Sequence, residues 1–203
     1  MPVPARGAIY DALIPGMTAG WYRAVLERLP HACRLLDVGV GTGAALIANA
    51  ELLRASDVHV TGLDIDPAYV ERCKAAIARS ALPDRITVRL ESIDAHDAAP
   101  YDAVYFSGSF MLLPDPAATL LRVRSLLKPD GHVYFTQTFE RRRSPTIERL
   151  KPMLRHLTTI DFGRVTYEAD FRATLAAAGF ALLELHELGP GRRRAAVLAI
   201  ARP

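Results

Sequence analysis

One stretch constrains the fold more than any other. Leu35-Leu36-Asp37-Val38-Gly39-Val40-Gly41-Thr42-Gly43 is an apolar run that ends in an acid and three alternating glycines. A helix-forming segment, 44–53, follows it. The order is strand, glycine turn, helix. The same alternation runs on. Apolar runs predict strands over 34–38, 58–63, 86–90, 103–106, 132–137, 181–188 and 195–201. Helical spacing predicts helices over 67–79, 116–127 and 167–178, with Pro67 suited to a first turn. Thr166 is the expected N-cap of the last helix, Glu168 and Asp170 suit its positive end, and Gly179 stops it. Lys128-Pro129-Asp130-Gly131 reads as a turn.

Strands that alternate with helices imply a parallel sheet covered on both faces. The last two predicted strands have no helix between them. A loop of about six residues is too short for a parallel crossover, so they should pair antiparallel. The expected fold is α/β, a doubly wound mostly parallel sheet with a C-terminal antiparallel strand pair. Residues 8–29 have helical spacing around a break at Pro15-Gly16. Within them 19–29 reads as an amphipathic helix with Trp21, Val25, Leu26 and Leu29 on one side. The expected organisation is a helical cover over 1–30 and one domain over 31–203, with an insertion at about 141–163.

Composition narrows the class. At 203 residues one domain is the prior, and 50% hydrophobic with 23% charged residues argues against disorder and collagen. The longest charge-free run, 38–50, is too short and glycine-broken to span a membrane. The N-terminus has no apolar signal core, so a cytoplasmic protein is expected. Cys33 and Cys73 form no CxxC, and two reduced thiols are expected. The net charge of +3 is uneven, with arginine triplets at 141–143 and 192–194. No aromatic stripe or nucleic-acid motif accompanies them, which argues against a nucleic-acid partner. His31, His59, His96, His132 and His186 are scattered, with no HxxxH and no carboxylate–His spacing, so no metal site is expected.

The glycine turn points to a ligand. Glycines after a parallel strand let backbone approach a ligand closely, and ligands of such sheets sit beyond the C-terminal strand ends. Asp64 lies 25 positions after Gly39, at the end of the second strand, where a carboxylate accepts both hydroxyls of a ribose. A nucleoside-containing ligand is the first inference. Residues 39–44 also satisfy the GxGxxA form of a dinucleotide fingerprint. Asp37 separates the two readings. Its charge weakens an anion-binding turn but tolerates a ligand carrying an amino group and a sulfonium.

Residues 37–43 match the DxGxGxG motif of class I S-adenosylmethionine-dependent methyltransferases. Gly62-Leu63-Asp64-Ile65-Asp66 resembles that family's second-strand motif. Tyr101-Asp102-Ala103-Val104 resembles its fourth-strand entry, and residues 127–131 resemble the turn before its fifth strand, with Asp130 where many members have Gly. The resemblance covers roughly residues 30–203 and implies a Rossmann-like fold with S-adenosylmethionine as cofactor. It implies that Asp37 and the Gly39 backbone face the methionine part and that Gly41 and Gly43 allow close approach. Asp64 would bind the ribose, Ile65 would pack on adenine, and Ser107 would offer backbone to the amino group. Many members have an Asp directly after the third strand. Here Ser92 stands there, and Asp94, two residues on, is the implied adenine contact.

Methyl transfer from a sulfonium is an in-line displacement in which the protein mainly positions the acceptor. No constellation marks a general base. Tyr10, Trp21 and Tyr22 precede the first strand and are candidates to line the acceptor pocket, with core packing as the competing reading. Ser109, Gln137 and Glu140 follow the fourth and fifth strands, on the ligand-binding edge, and are acceptor candidates. The segment 144–161 would cap the cleft with His156, Thr159 and Asp161 near it. The expected activity is methyl transfer to a small molecule. The alternatives are a methyltransferase of protein or nucleic acid, a nicotinamide-dependent oxidoreductase, and a non-catalytic cofactor-binding subunit.

Overall fold

The computed structural model describes residues 6–98, 100–141, 166–189, 191 and 194–203, with backbone alone for 6–15. The chain falls into two compact units, Met1–His96 and Asp97–Pro203.

The first unit contains α1 (Arg6–Leu26), β1 (Arg34–Val38), α2 (Ala44–Ile47), α3 (Ala50–Ala55), β2 (His59–Asp64), α4 (Pro67–Arg79) and β3 (Ile86–Leu90). Its strands run β3-β2-β1, all parallel, with Asp37 opposite Gly62 and Val38 opposite Leu63. Leu35, Leu36, Asp37 and Val38 are all buried, as a parallel strand covered on both faces requires. Asp66 accepts from the Ala68 and Tyr69 amides, and Pro67 occupies the first turn, so the Asp-Pro pair starts α4.

The second unit contains β4 (Tyr101–Ser107), a short 3-10 turn (Phe110–Leu112), α5 (Pro116–Leu126), β5 (Leu127–Glu140), α6 (Glu168–Ala177), β6 (Ala181–Gly189) and β7 (Arg194–Arg202). β4 and β5 pair parallel, whereas β7 pairs antiparallel with both β5 and β6. The predicted closing antiparallel pair is therefore present. Phe106, Phe110, Phe135, Phe139 and Phe171 form one ring cluster in this unit, with Phe110 and Phe135 centroids 4.9 Å apart. Asp115 caps α5 through the Ala118 amide, again ahead of a proline.

Four local expectations are corrected. α1 runs without interruption through Pro15-Gly16, where a break was expected. A proline removes one ladder bond and disfavours its predecessor's helical geometry, but a helix with bonds on both sides can carry that loss. The helix expected over 44–53 is two short ones. Asn49 separates them, because its amide donates to the Ala45 carbonyl at 2.9 Å and to the Ala19 carbonyl at 3.0 Å. Residues 128–131, expected as a turn ahead of the strand, lie inside the span of β5, which starts at Leu127. Leu127 pairs with Tyr101, the register then shifts before Ala103, and Lys128 Nζ binds Asp102 Oδ1 at 2.5 Å, so the extra residues are taken up as an irregularity of the strand. The N-cap of α6 is Tyr167 rather than Thr166, and it makes no side-chain cap bond. Among the described residues no helix is long and apolar enough to cross a membrane.

Candidate functional site

The turn after β1 is folded back onto β2. The Gly39 and Val40 amides both donate to the Leu63 carbonyl, at 2.8 and 3.0 Å. All three glycines of the turn have a positive φ, with Gly39 at +81°. Gly41 has φ +59°, and the space its side chain would enter is open for 4 Å. Gly43 has φ +69°, and a Cβ there would lie 2.4 Å from Cys73 Sγ on α4. The turn is fastened to the end of β2 by a carboxylate. Asp64 Oδ2 accepts from the Gly41 amide at 2.8 Å, and Oδ1 accepts from the Asp66 amide at 2.9 Å. A carboxylate has about four acceptor sites, so a half-buried Asp64 keeps capacity for further donors.

Asp37 lies beneath this turn with no exposed surface. Tyr22, reaching from α1, donates its hydroxyl to Oδ2 at 2.7 Å. Oδ1 is buried and has no hydrogen-bond partner among the described residues. Burial pushes the Asp37 carboxyl up to about 7; the Tyr22 hydrogen bond pulls against this, and the nearby Asp64 charge adds to it. A buried acceptor with an unfilled valence beside open backbone suits a ligand that brings a cationic donor. It does not suit a phosphate. The helix that follows the turn is a single four-residue turn, which gives little dipole to offset the Asp37 charge. The same surroundings push the Cys73 thiol up to about 11, through burial first and then the Asp37 and Asp64 charges, so this cysteine is an inert wall.

The first unit thus brings together Tyr22, Asp37, Gly39, Gly41, Gly43 and Asp64. Ile65 follows, 78% exposed. Asp94 is exposed in the turn after β3, where its amide donates to Ser92 Oγ at 3.3 Å. Trp21 is buried. The side chain of Tyr10 and the residues 144–161, with His156, Thr159 and Asp161, lie outside the described residues. In the second unit Ser107 ends β4 opposite Thr136, and the Gly108 amide donates to the Thr136 carbonyl at 2.7 Å. Ser109 precedes the 3-10 turn. Gln137 is buried on β5, and neither its amide oxygen nor its nitrogen has a partner among the described residues. The Glu140 carboxylate takes an ion pair from Arg194 Nε at 2.5 Å.

Spacing along the chain concealed several contacts. Three carboxylate–histidine pairs are present among the described residues where none was expected: His96 Nδ1 with Glu91 Oε2 at 3.0 Å, His186 Nε2 with Glu184 Oε2 at 2.6 Å, and His59 Nε2 with Asp57 Oδ1 at 3.6 Å. The first closes across a turn and the second joins strand neighbours two apart, arrangements that a search for helical spacing passes over. Among the described residues no group of acids, histidines and cysteines is disposed to hold a metal. The tie between Tyr22 and Asp37 carried no sequence signal beyond an aromatic residue in a preceding helix. The described members of the arginine triplets are paired: Arg141 lies bidentate on Glu187 at 2.9 and 2.8 Å, and Arg194 on Glu140.

A family model described as a methyltransferase domain matches residues 36–133, which takes in the turn, Asp64 and β4. The chain is similar to ubiquinone biosynthesis O-methyltransferases, at 31% identity over 114 residues for that of Xylella fastidiosa strain 9a5c and 34% over 105 residues for that of Yersinia enterocolitica. These matches cover 54% and 51% of this chain but 44% and 41% of those relatives, so the chain spans less than half of their length. Among solved structures, the fold is similar to that of geranyl diphosphate C-methyltransferase from Streptomyces coelicolor, in complex with S-adenosyl-L-homocysteine. The TM-score is 0.71 at 12% identity, covering 92% of this chain and 76% of that one. Motif, fold and family match agree: over residues 36–133 the chain is similar to methyltransferase domains, and its fold is that of class I S-adenosylmethionine-dependent methyltransferases.

Proposed function

We propose that the protein transfers a methyl group from S-adenosylmethionine to a small-molecule acceptor. The observation that carries this reading is Oδ1 of buried Asp37, which has no partner among the described residues and lies beside the open glycine turn. In this reading Asp37 Oδ1 accepts from the amino group of the methionine part, with the Gly39 backbone alongside. Asp64 accepts the ribose hydroxyls through the capacity left by its two amide donors. Ile65, exposed without a ligand, packs on the adenine, and Asp94 takes the adenine amino group. Ser107 offers backbone to the amino group from the end of β4. When bound, the donor supplies a methyl on a positively charged sulfur, open to in-line displacement. The protein's part is to hold the donor and acceptor in line and to exclude water.

Ser109 and Gln137 are the proposed acceptor contacts. Glu140 is the weaker candidate, because Arg194 already holds its carboxylate. An oxygen acceptor has support from the names of the curated relatives, which are O-methyltransferases. The pairing of Arg141 and Arg194 with carboxylates leaves less basic charge for a polyanion and favours a small acceptor over nucleic acid. A cytoplasmic location and a single domain over 31–203 remain part of this reading. Calorimetric titration with S-adenosylhomocysteine and with NAD tests it. Saturable binding of the first and none of the second is expected, together with release of S-adenosylhomocysteine from the methyl donor when small phenols are supplied. Binding of NAD alone would overturn it.

A further inference from the structure

The hydrogen bond between Tyr22 and Asp37 joins two elements far apart in the chain, and both partners are buried. Tyr22 donates to one carboxylate oxygen, and the other has no partner among the described residues. α1 is held against the same region a second time, one turn earlier, where Asn49 Nδ2 donates to the Ala19 carbonyl. The helix that carries Tyr22 is therefore fixed to the segment that follows the glycine turn, which sets the direction of the hydroxyl. Among the described residues, the titratable groups that face Asp37 are Tyr22 from α1, Asp64 from β2 and Cys73 from α4. Asp64 opposes the Asp37 charge, and the Cys73 thiol stays neutral, so Tyr22 is the one of the three that favours it.

We infer that Tyr22 is a positioning residue for the cofactor: its hydroxyl holds Asp37 Oδ2 and stabilises the carboxylate, so that Oδ1 is presented as an anion to the donor's amino group. This role differs from lining the acceptor pocket, because the hydroxyl acts through Asp37 and not on the acceptor. It rests on the reading of the turn as the S-adenosylmethionine site. Without the hydroxyl, the buried acid stays protonated to higher pH and loses its attraction for a cation. A hydrogen bond to a charged group corresponds to about one to two pH units in the titration midpoint.

Two measurements on Tyr22→Phe decide the matter. Carbon NMR of the Asp37 carboxyl follows its titration with no ligand present, and the midpoint should rise by about one to two pH units. Calorimetry with S-adenosylhomocysteine from pH 6 to pH 8.5 should show binding strengthening with pH in both proteins. The variant's profile should be displaced upward by the same interval, with a loss of about tenfold near pH 7. Replacing the tyrosines by 3-fluorotyrosine, whose hydroxyl is a stronger donor of nearly equal size, should lower the Asp37 midpoint and supplies a readout if Tyr22→Phe does not fold. An unmoved midpoint, or a loss of affinity equal at every pH, would give Tyr22 a packing role alone and overturn the inference. If the wild type binds no S-adenosylhomocysteine, the assignment of the turn fails, and the positioning role fails with it. The carboxyl titration then still reports whether the hydroxyl stabilises the Asp37 charge.

Discussion

A carboxyl with no exposed surface, one hydroxyl donor and one unpartnered oxygen ionises reluctantly. The Asp37 carboxyl is raised from 3.8 to about 7, chiefly by burial. A group whose folded value lies above its unfolded one contributes stability below the unfolded value and loses it as pH rises through the folded one. Between pH 4 and about 7 the ligand-free protein should therefore lose stability through Asp37, by on the order of 4 kcal/mol at the most. Asp37→Asn keeps an acceptor for Tyr22 and removes the ionisation. Urea melts should find the variant close to wild type near pH 4 and more stable at pH 8, while its affinity for S-adenosylhomocysteine falls. A stability difference that does not vary with pH would remove the electrostatic account. Asp64 accepts from two amides, that of Gly41 in the turn and that of Asp66. Asp64→Ala should weaken S-adenosylhomocysteine binding by about 1.5–3 kcal/mol through loss of charge-assisted hydrogen bonds. Unchanged affinity in a folded variant would contradict the ribose assignment.

At the scale of elements, the glycine turn and α4 fit each other. A side chain at Gly43 meets Cys73 Sγ, and the backbone there is left-handed as well. Gly43→Ala should destabilise by roughly 2–4 kcal/mol, part from the contact and part from the positive φ. In Gly43→Ala with Cys73→Ala the contact is gone and the backbone strain of roughly 1–2 kcal/mol remains. Denaturant melts of the cycle should show the double variant more stable than the sum of the single effects, by at least about 1 kcal/mol. Strict additivity would place the cost in the backbone alone. The same scale shows what a reader of the sequence can find. Strands β1, β2 and β3 and helices α4 and α5 were legible because periodicity and Asp-Pro starts are local signals. The division between α2 and α3 was not, because Asn49 is held by Ala19, thirty positions away. The start of β5 at Leu127, ahead of the expected turn at 128–131, was hidden for the same kind of reason: proline and glycine mark a turn locally, while the pairing of Leu127 with Tyr101 is a long-range contact.

At the scale of the molecule, the residues read as cofactor contacts fall in the first unit except Ser107, and those read as acceptor contacts after the first strand fall in the second. The proposed cofactor half rests on a glycine turn and an acid at a strand end, which are local features that the sequence displays directly. The acceptor half was legible only as polar residues at strand ends, because each acceptor demands its own contacts. Gln137 shows what the structure adds. It alternates on β5 with Phe135 and Phe139, both packed on Phe171, so its amide shares a strand face with aromatic rings. Neither polar atom is satisfied among the described residues. Burying an amide without a partner costs about 1–3 kcal/mol, which a chain selected for stability alone would remove. Gln137→Leu nearly conserves volume and deletes that cost. The variant should melt higher than wild type and bind S-adenosylhomocysteine within about twofold of it, since no proposed cofactor contact is altered. Methyl transfer to the acceptor should fall, through KM if Gln137 binds the acceptor equally throughout, and through kcat if the bond tightens in the transition state. A variant that melts lower than wild type would show that the amide is satisfied in solution, and one that is more stable and fully active would leave Gln137 without a part in the reaction.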